Sequence, residues 1–91
     1  MNAHLLTVEK LAVLIKYQWD LRHFYKQASA TEMALMDGLD WNNLAELLQD
    51  LKRYHHQLVS ADYAAKIHAE LLAACADEET AQTFIGYAST L

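Results

Sequence analysis

From Val8 to Tyr25 the chain runs without a proline or a glycine, and its apolar side chains fall on two opposite sides of the helix that such a run implies. At about 100° per residue, Val8, Leu11, Ala12, Ile15 and Trp19 share one side. Val13, Leu14, Tyr17, Leu21, Phe24 and Tyr25 share nearly the opposite one, and only Glu9, Lys16, Asp20 and His23 form a fully polar stripe. A surface helix needs an apolar arc of only roughly 100°. A helix that is apolar around most of its circumference is either enclosed by its own chain or docked against another one. In a chain of 91 residues the second option carries weight and points to a protein that works by binding protein.

The rest of the chain reads the same way. Proline is absent, glycine occurs twice, and alanine and leucine supply 15 residues each, while valine, isoleucine and threonine together supply 11. Helix breakers are nearly missing and strand formers are scarce. The length suits one domain over residues 1–91, burying roughly 65% of its unfolded surface. The predicted fold is all-α, a small antiparallel helical bundle of three main helices plus one or two short ones.

The punctuation predicts where those helices lie. The first runs from about Thr7 to Gln27. Ser29-Ala30-Thr31-Glu32 has capping-box spacing and starts a short second helix, which ends near Met36 before Asp37-Gly38. Asp40 caps a third from Trp41 to about Val59, Ser60 or Asp62 starts a fourth ending near Ala76, and Asp77-Glu78-Glu79 opens a fifth reaching about Thr90. The first, third and fourth carry the core in this reading, and the second and fifth are short additions. The third is the most amphipathic: Trp41, Leu44, Leu48, Leu51, His55 and Leu58 recur at alternating three- and four-residue intervals, with Asn42, Glu46, Gln49, Asp50, Arg53 and His56 opposite.

Charge narrows the function classes. Seven basic against 12 acidic residues give a formal net charge of −5, which opposes nonspecific contact with phosphate backbones or anionic membranes. A helix-turn-helix reading would make the fourth helix the recognition helix, yet Asp62, Lys66, His68 and Glu70 lack the basic side chains that phosphates and base edges require. The expectation is no nucleic acid and no membrane. A single cysteine, Cys75, forbids an internal disulfide, and the first residues carry no basic region followed by an apolar core of signal-peptide type. A cytoplasmic location follows as an expectation.

Candidate chemistry is sparse. Two ligands on one helix face need a spacing of three or four residues, and no pair of histidines has it; His55 and His56 are adjacent and point about 100° apart. Asp20 and His23 do have that spacing, but a di-iron bundle needs the motif on two helices and two further glutamates. His55, inside the leucine stripe, reads as a half-buried histidine or an axial haem ligand, the first being favoured. Cys75, between Ala74 and Ala76, reads as a buried thiol without the base and positive setting of a nucleophile. No metal, no cofactor and no enzymatic activity are expected.

The remaining reading is a non-enzymatic helical interaction module of chaperone, adaptor or inhibitor type. It would act by helix-on-helix docking with a protein partner, with a second copy as a homodimer, or both. The faces of the first helix divide the labour: Leu14, Tyr17, Leu21 and Phe24 suit the core, and Leu11, Ile15 and Trp19 are left for the partner, with Trp41 of the third helix assisting. A haem- or metal-binding bundle and an accessory subunit of an enzyme are the alternatives. The stretch Gly38-Leu39-Asp40-Trp41-Asn42-Asn43-Leu44-Ala45-Glu46-Leu47-Leu48 resembles one found in small helical chaperones of flagellar and type III export systems. It carries no functional residue over.

Overall fold

The structure, a computed structural model, describes residues 5–56 and 60–91. Within them it is an all-α bundle of six helices: α1 Val8–Lys16, α2 Leu21–Gln27, α3 Ala30–Leu35, α4 Trp41–His56, α5 Ala61–Ala74 and α6 Glu78–Ser89. Side chains satisfy the first amide groups of each. Thr7 accepts from Lys10 N, Asp20 from Arg22 N and His23 N, Asp40 from Asn43 N, Ser60 from Tyr63 N and Asp77 from Thr80 N. Ser29 and Glu32 form the reciprocal capping box that their spacing predicts.

The long first helix is where the structure departs most from the sequence reading. The run expected to be helical from Thr7 to Gln27 is broken between Lys16 and Leu21. Gln18 N–H donates to Ile15 C=O at 3.0 Å and Trp19 N–H to Leu14 C=O at 2.9 Å, the two bonds of a Schellman ending. That ending requires a left-handed residue, usually glycine, yet Gln18 stands there at φ 55° and Trp19 follows at φ 60°. Each left-handed L-residue costs about 1–2 kcal/mol. Tertiary packing offsets that cost. The Trp19 indole lies 5.8 Å from the Phe84 ring and 6.3 Å from the Tyr87 ring, and its Nε1 donates to the Tyr87 hydroxyl at 3.3 Å. Asp20, freed from the helix, caps α2.

The break resolves the two-sided apolar pattern. α1 is enclosed on both sides by its own chain, with Leu11 1% and Leu14 0% exposed, and Tyr17 is buried where it ends. Beyond the bend, α2 buries only Phe24, leaving Leu21 and Tyr25 at the surface.

The last helix also differs from expectation. Predicted as a short addition, α6 packs against α1, α4 and α5 and is the centre of the bundle. Phe84, Thr80, Ala81 and Ala88 are buried along it, and the two alanines let its neighbours approach closely. Across from it α4 buries Leu44, Leu47, Leu48 and Leu51. The leucine stripe stops there: His55, expected to be half buried, is exposed with the whole last turn of α4, and its ring faces His56 at 6.2 Å. Leu58 and Val59 lie outside the described residues.

One backbone clip joins the ends of the core. Leu6 N–H donates to Ala74 C=O and Ala76 N–H donates to Leu6 C=O, both at 2.8 Å, as an isolated parallel bridge between Leu6 and Cys75. The clip satisfies a carbonyl that the end of α5 would otherwise leave without a partner. Cys75 is buried there, and burial, with the Asp77 carboxylate nearby, pushes its thiol up to about 11. That is the inert thiol the sequence suggested, since the thiolate is the reactive form.

Candidate docking groove

The short helices α2 and α3 form a hairpin through Ala28 and Ser29 and lie against the start of α4. Gly38, at φ 80°, adopts the left-handed conformation that turns the chain after α3. That turn brings Leu39 and Trp41 back beneath the hairpin, with Leu39 N–H bonded to Met36 C=O at 3.2 Å. The result is a groove of about 450 Å³ between α2, α3 and the first residues of α4. Phe24, Met36 and Leu39 make its buried floor. Leu21 at 39% exposure, Tyr25 at 65% and Met33 at 38% form its open walls, and Trp41 closes one end with its ring 5.1 Å from that of Phe24.

A carboxylate anchors the hairpin to α1. Glu32 Oε2 accepts from Lys16 Nζ at 2.8 Å, and its Oε1 accepts from the Tyr17 hydroxyl at 2.6 Å and from Ser29 N–H at 2.9 Å. The lysine, the tyrosine hydroxyl and the Ser29 amide all favour the ionised carboxylate and hold its pKa down to about 2. The Tyr17 hydroxyl, bonded to that carboxylate, is shifted up, and Lys16 is shifted up by the same partner. Tyr17 also meets Phe24 edge-on at 5.4 Å. The bend, the hairpin and the groove floor are thus tied to one another at Tyr17.

The electrostatics of the groove are one-sided. Asp37 and Asp40 lie at its rim, and neither lysine nor arginine lines it among the described residues. A second concavity of about 430 Å³ lies between α4 and α5 and is polar, with Glu46, Asp50 and Glu70 around Lys66. Among the described residues no group of three or more histidine, cysteine, aspartate or glutamate side chains is placed to hold a metal ion. His23, His55, His56 and His68 are all exposed on separate parts of the surface or adjacent on one helix, and His4 lies outside the described residues. Asp20 and His23 meet only through the cap, where Asp20 accepts from the His23 amide. No helix of the described residues is long and apolar enough to cross a membrane.

Of the four residues singled out in the sequence for a partner, one lies on this groove. Trp41 does. Leu11 is 1% exposed and belongs to the core, while Ile15 and Trp19 are half buried against that core. The rest comes from Met33, Met36 and Leu39, from Tyr25, and from Leu21, which the spacing assigns to the core but which is exposed on α2 beyond the bend. The capping box and the apolar Met33, Leu35 and Met36 around α3 give a signal in the sequence, but the bend that turns α2 towards them has no signature in residue type. The chain matches no family model, no curated protein and no solved structure.

Proposed function

We propose that this chain is a non-enzymatic interaction module whose groove between α2, α3 and α4 receives an amphipathic helix of a partner protein. The observation that carries this reading is the concentration of large exposed apolar side chains, Leu21, Tyr25 and Met33, around an apolar floor with a tryptophan at its end. Grooves that take a helix by its apolar face are built in this way. Aromatic side chains supply much of the energy at interfaces, and methionines adapt to the shape of what they meet. Covering each such side chain contributes roughly 1.5–3 kcal/mol before the cost of association. The acidic rim of Asp37 and Asp40, in a chain of net charge −5, favours a helix flanked by lysine or arginine.

Trp41 is a built-in reporter. Titration with an eighteen-residue helical peptide of leucine and lysine should shift tryptophan emission to the blue and saturate, and Trp41→Phe should remove most of that shift. Met33→Glu should weaken the binding at least tenfold, and replacing the lysines of the peptide by glutamate should weaken it as well. Binding that ignores Met33→Glu would sink the proposal.

A further inference from the structure

The bend between α1 and α2 is held by packing rather than by its own sequence. The four residues from Tyr17 to Asp20 contain neither glycine nor proline, and Gln18 and Trp19 both sit in the left-handed region. Left-handed glutamine and tryptophan are disfavoured, whereas all four residues are tolerated inside a helix. Straightened, residues 8–27 would form one helix of roughly 30 Å. That is the helix which their apolar spacing describes.

Straightening has a consequence for the rest of the chain. α1 is locked to the bundle by its packing on α6, by the bridge from Leu6 to Cys75, and by the bonds from Lys16 and Tyr17 to Glu32. The hairpin is locked to α4 by Phe24 against Trp41. A straight helix carries α1 away from α2, so one chain cannot keep both sets of contacts. Two chains can. We infer that this protein forms a domain-swapped dimer, in which residues 5–17 of each copy dock in the α1 position of the other while Gln18 and Trp19 become helical.

The balance explains why the two states lie close. Every contact of α1 and of the Leu6 clip broken within a chain is remade between chains, since the surfaces are identical. The closed form keeps the two Schellman bonds, the Asp20 cap and the seat of Trp19 on Phe84 and Tyr87. The swapped form gains helical bonds through the bend and loses two left-handed residues per chain. A strained hinge next to a separable terminal element is the arrangement that swaps.

Two exposed positions in the bend test this without touching the core. Gln18→Gly suits the closed form, because glycine is at ease in the left-handed ending and weakens a helix interior. Asp20→Ala suits the swapped form, because it removes the cap of α2 and strengthens a continuous helix. Each dimer holds two hinges, so each effect counts twice. Wild-type chain and both variants are refolded at millimolar concentration and weighed by size exclusion with light scattering. The expected result is a dimer in the wild type and a dissociation constant at least about 1,000-fold tighter for Asp20→Ala than for Gln18→Gly. Subunit exchange between differently labelled dimers should take minutes or longer, since α1 must leave its site. Monomer throughout, or a dimer indifferent to both substitutions, overturns the inference. A dimer abolished by Met33→Glu but unmoved by the hinge variants also overturns it, placing the contact in the groove. Peptide binding to the groove does not depend on the outcome, so the two readings fail separately.

Discussion

The α1–α4–α6 core and the α2–α3 hairpin are made of similar residues and do different things with them. In the core, leucines and Phe84 meet from three helices: Leu11, Leu14 and Phe84 are almost wholly enclosed there, with Leu6 of the clip and Leu71 of α5 packed beside them. The hairpin has two helices of seven and six residues, far below the length at which a helix persists alone, and α3 buries no residue of its own. It is held by Phe24 beneath it, by Met36 and Leu39 after it, and by the carboxylate of Glu32. Its remaining apolar side chains, Leu21, Tyr25, Met33 and Leu35, are turned outward. Burial makes the first region stable, and incomplete burial makes the second available.

The contrast can be broken first at Phe84. Phe84→Ala should cost about 3–5 kcal/mol, a large part of the roughly 5–13 kcal/mol that a chain of this size possesses. Urea denaturation followed by far-UV dichroism checks it. Phe24→Ala should cost less, roughly 2 kcal/mol, because water can enter a gap beneath an open groove. Its signature should be local, with amide exchange accelerating over residues 21–35 while the amides of α4 and α6 stay protected. A loss equal to that of Phe84→Ala would erase the distinction between the regions.

Charge also separates the two regions. Glu32 has its pKa lowered from 4.5 to about 2 by the fold, so its contribution is complete above pH 4.5 and disappears as the pH falls towards 2. The hairpin should therefore loosen in that window before the core does. Residue-resolved exchange or Trp41 fluorescence would show it, and Glu32→Gln should remove that step from the acid profile. Cys75 works in the opposite sense and in the core. Its thiol is held neutral up to about 11 against an ordinary 9.0, so the stability it adds is complete below pH 9 and is lost as the pH rises towards 11. At pH 8 a thiol reagent should react with it at a rate set by opening of the core and accelerate sharply in urea. The smallest effect on stability should come from Met33→Glu, within about 0.5 kcal/mol, since the side chain is 38% exposed. The same substitution should have the largest effect on peptide binding.

Much of the fold was legible in residue type. The caps at Ser29, Asp40, Ser60 and Asp77 stand where side-chain oxygens precede the apolar runs, whereas Thr7 and Asp20, which also cap, fall within the single helix that the spacing predicts. The stripe of α4 places Leu44, Leu48 and Leu51 correctly in the core. What could not be read was decided by tertiary contact. Nothing in Gln18-Trp19 announces a left-handed turn; the turn exists because Phe84 and Tyr87, far along the chain, offer the indole a seat. The central place of α6 was equally hidden, since Ala81 and Ala88 carry little hydrophobic signal and matter through the close approach that they permit. The groove was hidden for the same reason: Leu21 and Tyr25, past the bend, line it with Met33 instead of entering the core.

The most direct measurement is a residue-by-residue map of amide chemical shifts during titration with the leucine–lysine helix. Saturable shifts should gather on Leu21, Tyr25, Met33, Leu39 and Trp41, with the acidic concavity of Glu46, Asp50 and Glu70 left unmoved. Shifts centred on that second concavity, or no saturable shift at the groove, would contradict the proposed docking.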